Sequence, residues 1–467
     1  MMENLLEGAD WQANGRAPAL HTEAGAAEDQ VITFTELVAQ IRQRANQWAV
    51  PLGEEPGVVA VCASRPWSQL TGVLAGWQRQ QAAFPANAAW WPRERDAALE
   101  RLGPAWTVGE GPQAVPIATT NRPDRPKPTD PTLVEALWLA SAGSAGDPTP
   151  YAFSVDQVRQ HWLVADPAIA PGANVVVTGE LGHAPTLRFV LGALSSGACV
   201  RLTTTRHLAA LLGGERIDHL CTTTTLLRRA LRQLHQRGGV VAGVSHTIVH
   251  QGQWRPHERP LWPQQLRGEV EERVSSTEAG GWALLGTTSA PAIEVHISPD
   301  KPAPAAPDGA APDGAAPAPA GTVHIGGAAA AVRSTQGERP LIGWDSGDLA
   351  QRDGHNRLHW QNRRRDQFVV EGQLVDPVQV EAALAAHRLV AEIAIAPRPQ
   401  EQGGNVVVAV VVAADPEWPP FLEDLVEAAT ALNPRTLPQA LAIVDELPIN
   451  AAGAIHRRLV NYEEASR

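Results

Sequence analysis

Along the first hundred residues the spacing of hydrophobic positions changes period repeatedly. In "TFTELVAQIRQRANQWA" the residues Leu37, Ile41 and Ala45 recur at helical spacing, with Thr35 placed to cap the helix. The apolar run "GVVAVCAS" then reads as a strand, and "WSQLTGVLAGW" as a second helix. Further on, "NVVVTGE", "ACVRLTT", "DHLCTTTT" and "HTIVH" are short β-branched runs separated by helix-like segments such as "LLRRALRQLHQ". This alternation predicts an α/β fold, a mostly parallel sheet with covering helices.

Two stretches interrupt the pattern. A polar, proline-bearing segment, "NRPDRPKPTDPT", precedes the apolar "LVEALWLA", and near Pro299 the composition shifts to "PDKPAPAAPDGAAPDGAAPAPAG", with "PDGAA" repeated in tandem. Such a sequence cannot bury a core, so residues 299–321 are expected to be a Pro/Ala-rich surface insertion, partly polyproline II. After it come a strand, "GTVHIGG", a turn, "GWDSGDLAQRDG", and a strand, "RLHWQ". A smaller unit follows, with "NVVVAVVVAA", "FLEDLVEAATAL" and "ALAIVDELPI". The expected division is a large α/β domain over 1–350 and a small α+β lobe over 351–467.

Length and charge narrow the function. A chain of 467 residues suits two or three domains. Its net charge of -12 argues against a nucleic-acid partner, because phosphate backbones are bound by basic surfaces. Cys62, Cys199 and Cys221 share no ligand spacing, which suggests neither a disulfide framework nor a zinc site. No basic-then-apolar leader and no apolar run near the roughly 18 residues needed to cross a bilayer is evident, so a cytoplasmic protein without a membrane span is expected. Lysine occurs only at Lys127 and Lys301, and arginine supplies the remaining side-chain positive charge.

The segment "LASAGSAGDPTP", Leu139 to Pro150, has the small residues that let backbone N–H groups cradle phosphate oxygens, although an ordinary loop has them too. The order of segments carries more information. The succession of "TFTEL", "SAGSAGDP", "STEAGG", "WDSGDLAQRDG", "NRRRDQFVVEGQLVDPVQVEAAL" and "LPINAAGAIHRRL" resembles the AMP-forming acyl- and aryl-acid ligases, the superfamily of acyl-CoA synthetases and peptide-synthetase adenylation domains. The "STEAGG" form is similar to the AMP-ligases of aryl-polyene and xanthomonadin-type pigment pathways.

The resemblance implies an adenylate-forming N-terminal domain and a mobile C-terminal lobe. It also implies a reaction in which a carboxylic acid attacks the α-phosphate of ATP, and the acyl-AMP formed passes its acyl group to a thiol of CoA or an acyl carrier protein. By the same resemblance Ser141, Gly143, Ser144 and Gly146 line the phosphate loop, and Thr277 and Glu278 form the Thr-Glu pair, with Glu278 the Mg2+ ligand. Asp348 takes the ribose hydroxyls and Arg363 assists it. Arg365 falls at the hinge, Gly372 borders the thiol channel, and His183, Gly280 and Gly281 adjoin the acid.

The chain departs from that family where charge matters most. The expected lysines are replaced by Thr149 in the phosphate loop, Val369 in the lobe-crossing segment and Ala454 at the adenylation position. The small hydroxyl residue of the loop becomes Ala145, and the tyrosine-glycine of the adenine site becomes Val274 and Ser275. None of Thr149, Val369 and Ala454 can carry positive charge, and Arg457 is no substitute because the family already has an arginine there. Two expectations follow: an acid ligase with weak ATP or AMP binding and impaired catalysis, or a pseudoenzyme that keeps the fold to bind an acyl or aryl group, a carrier protein or a pathway partner.

Overall fold

A computed structural model describes residues 15–22, 30–52, 56–86, 92–111, 113–119, 133–141, 148–203, 205–251, 258–299, 320–400, 404–429, 431–450 and 453–460. Two large sheets dominate the N-terminal part. In the first, the strands Asn174–Thr178, Cys199–Thr203, Ile217–Thr223, Val244–His250 and Glu269–Ser276 run parallel. The continuous valine run of the central strand Asn174–Thr178 suits a strand covered on both faces, whereas Glu269–Ser276 is mostly half-buried and carries charge. The second sheet holds the parallel strands Val58–Val61, Ala82–Pro85 and Glu135–Ala140. One apolar cluster joins both sheets, including Trp48, Trp77, Phe153 and Trp162.

The first helix, Phe34–Gln47, buries Leu37, Ile41 and Ala45 as their spacing predicts, but its cap is Thr33 rather than Thr35. Thr33 and Glu36 form a reciprocal capping box, whereas the Thr35 hydroxyl donates to the Gly15 carbonyl. The polar signal was correct and its register was off by two residues.

The segment "GWDSGDLAQRDG", expected to be a turn, contains the strand Trp344–Arg352. It pairs with Gly321–Gly326 on one side and Leu358–Arg363 on the other, in a four-stranded sheet completed by Glu294–Pro299. The turn chemistry survives as a local irregularity: Gly347 has φ of 73°, and its N–H donates to Asp345 Oδ1 at 2.8 Å. Residues 300–319, most of the Pro/Ala-rich insertion, lie outside the described residues, but the flanking strands place Pro299 and Gly321 opposite each other.

Gln351 lies within this four-stranded sheet, and the apolar cluster of the smaller lobe begins at Val370. We therefore propose the division between the units after Arg363. In the lobe, Val390–Pro399 and Asn405–Ala413 pair antiparallel, and Ala440–Ile443 adds a parallel strand. Val407, Ala409 and Val411 face a cluster with Leu384 and Leu425, while Val408, Val410 and Val412 face another with Leu447 and Val460. Burial on both faces explains the unbroken apolar run in this strand.

Candidate functional site between the lobes

Adjacent strands bring together two of the residues singled out from the sequence. Asp348 and Arg363 are direct partners across the hairpin formed by Trp344–Arg352 and Leu358–Arg363, and Arg363 Nε lies 3.2 Å from Asp348 Oδ1. Both line a cavity of about 450 Å³ between the large domain and the small lobe. Burial raises the pKa of Asp348 to about 6; Arg363 opposes the rise and the charge of Glu278 adds to it. The carboxylate is thus poised to accept hydrogen bonds in a poorly hydrated place.

The opposite wall comes from the ends of parallel strands, with His250 and Gln251 beside Val274 and Ser275. Trp360 adds an aromatic surface to the same cavity. Sequence reasoning passed over it, although it lies three residues before Arg363 on the strand that pairs with the "SGDL" strand. Arg273 also lines the cavity; it is held bidentately by Glu271 at 2.9 Å for each contact and lies over the Trp282 ring at 5.3 Å.

Thr277 and Glu278 are buried at the turn following Glu269–Ser276. The Ser276 hydroxyl donates to Glu278 Oε2 at 2.5 Å, and the Glu278 carbonyl accepts from Ala331 N–H at 2.8 Å. Among the described residues no cluster of three or more His, Cys, Asp or Glu side chains could hold a metal on its own. A lone carboxylate nevertheless fits Mg2+, which commonly takes one or two carboxylates and fills its shell with phosphate oxygens and water.

His183 caps the helix Ala184–Ser195 without a side-chain capping bond. Its Nε2 lies 2.9 Å from Gln251 Nε2, and its ring stacks on His250 with centroids 5.7 Å apart. Burial above all, with repulsion between the two imidazolium forms and from Arg363, drives its pKa well below the usual histidine value. Burial and Arg273 bring His250 down to about 3. Both rings are therefore neutral at physiological pH.

Gly280 and Gly281 have φ of 62° and 120°. A Cβ on Gly280 would lie 2.9 Å from Phe153 Cε1, and one on Gly281 would lie 2.9 Å from Arg188 Cδ. The neighbouring side chains fill this space. Gly372, with φ of 76°, follows Glu371 in the two-residue turn between Phe368–Val370 and Gln373–Val375. Such a turn favours left-handed backbone. Gly372 and Val369 are both outside the cavity lining. Arg365 belongs to the short 3₁₀ helix Arg364–Asp366, between the two units.

Ser141 and Thr149 close the candidate phosphate loop. Ser141 N–H donates to the Thr149 carbonyl, and Thr149 N–H donates to Ser141 Oγ, each at 3.0 Å. Gly143, Ser144 and Gly146 lie outside the described residues. Ala454 lines the same cavity as Asp348, and its N–H donates to Asn450 Oδ1 at 3.1 Å. The Thr223 hydroxyl donates to the Gly453 carbonyl at 3.2 Å, fixing this loop on the large domain. Arg457 pairs with Glu381 and with Asp366. Those carboxylates hold its guanidinium, so it cannot take over the role of a charge at Ala454.

Residues 379–454 match the AMP-binding enzyme C-terminal domain family. The chain is 26% identical over 459 residues, 90% of its length and 6% of the relative, to the probable non-canonical nonribosomal peptide synthetase CymA of Salinispora arenicola. It is 33% identical over 118 residues to the acetyl-coenzyme A synthetase of Methanothrix soehngenii, covering 25% of this chain and 18% of that protein. The chain thus spans less than a fifth of the length of either relative. In fold it is similar to a benzoate CoA ligase from Burkholderia xenovorans, with a TM-score of 0.74, 20% identity and coverage of 96% and 98% of the two chains. ATP-bound MatB from Rhodopseudomonas palustris gives a TM-score of 0.72 at 17% identity, with coverage of 100% and 99%.

Proposed function

We propose that this chain, a homologue of acyl- and aryl-CoA ligases and of peptide-synthetase-like adenylation proteins that shares the adenylate-forming fold, binds an adenine nucleotide and a carboxylic acid in its interlobe cavity. The observation that carries the reading is the Asp348–Arg363 pair, held across one hairpin on the cavity wall. Asp348 accepts the ribose hydroxyls, Arg363 orients it, and Trp360 offers its ring to the base. The cavity volume suits a ligand of nucleotide size. Glu278 would hold Mg2+, which neutralises phosphate charge when bound.

Formation of acyl-AMP requires a carboxylate oxygen to bond to the α-phosphorus of ATP while pyrophosphate leaves. Negative charge builds on the phosphoryl oxygens, and preorganised cations stabilise it. Ala454 lines the cavity without a charge, and neither Thr149 nor Val369 supplies one. Loss of one such donor typically costs roughly 10²- to 10³-fold in rate. The proposed activity is accordingly a weak adenylation of a fatty or aromatic acid, with the thiol of CoA or a carrier protein as acceptor.

The uncharged methyl of Ala454 at the cavity wall equally supports a second reading, a nucleotide- or acyl-binding pseudoenzyme that acts through a carrier protein or pathway partner. Among the described residues no helix is long and apolar enough to cross a membrane. Calorimetry with AMP and Mg2+, beside ATP–pyrophosphate exchange over a panel of fatty and aromatic acids, tests both readings. Nucleotide binding that disappears in Asp348→Ala supports the site, and exchange with any acid selects the enzyme. No heat at millimolar AMP or ATP removes the nucleotide role.

A further inference from the structure

Three neighbouring residues on the strand-end wall of the cavity carry unused polar atoms. His250 closes the strand Val244–His250 and Gln251 follows it, while Ser275 lies on the parallel strand Glu269–Ser276, two residues beyond Arg273, the register partner of His250. His250, Arg273 and Ser275 therefore point to one face of the sheet. His250, Gln251 and Ser275 all line the cavity. Both ring nitrogens of His250, the Oε1 of Gln251 and the hydroxyl of Ser275 are buried, with no hydrogen-bond partner among the described residues. The His250 residue as a whole is 1% exposed.

Rings rather than hydrogen bonds fix the imidazole of His250: it stacks on His183 and meets Trp282 edge-on, with centroids 5.7 and 5.4 Å away. Gln251 already turns its Nε2 to His183, which leaves its side-chain oxygen as an acceptor. A neutral imidazole offers one donor and one acceptor, and a serine hydroxyl offers both. An alkyl chain or a bare ring laid over these atoms would leave them unpaired and buried, which is costly. The part of the ligand that meets this wall is therefore polar. Charge narrows it further. Burial and Arg273 hold the pKa of His250 down to about 3, so the ring has no charge to offer an anion, and the same arginine disfavours a cationic ammonium beside it. An uncharged group that donates and accepts at one atom, a hydroxyl, meets these conditions.

We infer that His250, with Gln251 and Ser275, binds a hydroxyl group on the acid, so that the substrate class is a hydroxy-substituted carboxylic acid. This rests on the reading of the interlobe cavity as the acid and nucleotide site, in which the Asp348–Arg363 hairpin takes the nucleotide and leaves the strand-end wall to the acid. The ring N–H of His250 donates to the hydroxyl oxygen, and the hydroxyl donates to Gln251 Oε1 or Ser275 Oγ. His250 is then a specificity-determining residue, which selects the acid without touching its reacting atoms.

The test is calorimetry on the full chain with shape-matched pairs, 3-hydroxybenzoate against 3-methylbenzoate, 4-hydroxybenzoate against 4-methylbenzoate and 3-hydroxybutyrate against 3-methylbutyrate, each with and without AMP and Mg2+. At least one hydroxy acid is expected to bind about tenfold or more tightly than its methyl partner, the loss expected when buried polar groups are left unpaired. His250→Phe, which keeps a ring in the stack, should bring that ratio near one, and Ser275→Ala should reduce it severalfold. Thermal unfolding by circular dichroism shows whether each variant folds. If His250→Phe does not fold, the wild-type ratio and its change in Ser275→Ala decide. A ratio near one for every pair in the wild type, or an undiminished ratio in folded His250→Phe, overturns the assignment. A wild-type ratio near one together with weakened AMP binding in His250→Phe would give this wall to the base and overturn it equally. AMP binding without acid discrimination removes only the role of His250, discrimination without AMP binding removes only the nucleotide reading, and the absence of both removes both.

Discussion

The guanidinium of Arg229, on the helix Thr224–Gln236, makes a bidentate pair with the carboxylate of Glu392 in the small lobe, at 2.9 and 2.7 Å. Both groups are buried. The same guanidinium reaches Glu446 at 2.5 Å and the Leu447 carbonyl at 2.7 Å, and Arg232 adds a 3.1 Å contact to Glu392. One helix therefore fixes the lobe while its first turn, Thr224 and Thr225, lines the cavity. Any swivel of the lobe must break this cluster.

Arg229→Ala leaves Glu392 buried with only Arg232 beside it. Removing one partner of a buried pair costs on the order of 3–5 kcal/mol. The expected result is a lower melting temperature and faster proteolysis of the connection around residues 364–369. Wild-type protection of that connection, with an unchanged melting temperature, would show that the pair does not hold the lobe.

The raised pKa of Asp348 gives a pH signature. The folded protein holds this proton more tightly than the unfolded chain, since the pKa moves from 3.8 to about 6. The contribution of Asp348 to stability is therefore most favourable below about pH 4 and is lost as pH rises through 6. Nucleotide binding runs the other way, because the ribose hydroxyls need the ionised acceptor. AMP affinity should fall by about tenfold between pH 7 and pH 5, following the ionised fraction of a group of pKa near 6. Calorimetry at the two pH values checks this, and an equal affinity at both would separate Asp348 from nucleotide binding.

The sequence showed the alternating parallel strands because their apolar runs are short, β-branched and spaced by amphipathic helices. It also pointed to Asp348 and Arg363, whose pairing needs only one hairpin. It did not reveal Trp360 or the Arg229–Glu392 contact. Arg229 and Glu392 are far apart in the chain and meet only when the lobes dock. The strand Trp344–Arg352 was misread as a turn because Asp345, Ser346 and Gly347 carry turn chemistry that here bends a strand without ending it.

The opposed positions of Pro299 and Gly321 predict how the Pro/Ala-rich insertion can be shortened. Deleting residues 302–319 leaves Asp300, Lys301 and Ala320 as a three-residue hairpin connection. Hairpin loops of that length are common, and loop-closure entropy changes only slowly with loop length. The melting temperature should shift by no more than a few degrees. A large drop in a thermal scan would mean that the deleted residues contribute to packing.

Restoring charge at the cavity is the most direct probe of lost catalysis. Ala454 lines the space shared with Asp348 and Arg363, and its loop is held by Asn450 and by the Thr223–Gly453 hydrogen bond. Ala454→Lys would therefore carry an ammonium into the cavity without a new anchor for the loop. Charge stabilisation at the α-phosphate is a major catalytic contribution, so pyrophosphate exchange should rise by roughly tenfold or more. The gain should stay partial, because Thr149 lies at the candidate phosphate loop without charge. Adding Thr149→Lys should raise it further, and more than additively, since residues acting on one transition state work as a unit. Exchange is to be measured with fatty and aromatic acids, alongside AMP calorimetry and thermal unfolding of each variant. If the folded double variant binds AMP yet stays at background with every acid, the missing lysines are not what limits the reaction, and binding without catalysis becomes the better account of the chain.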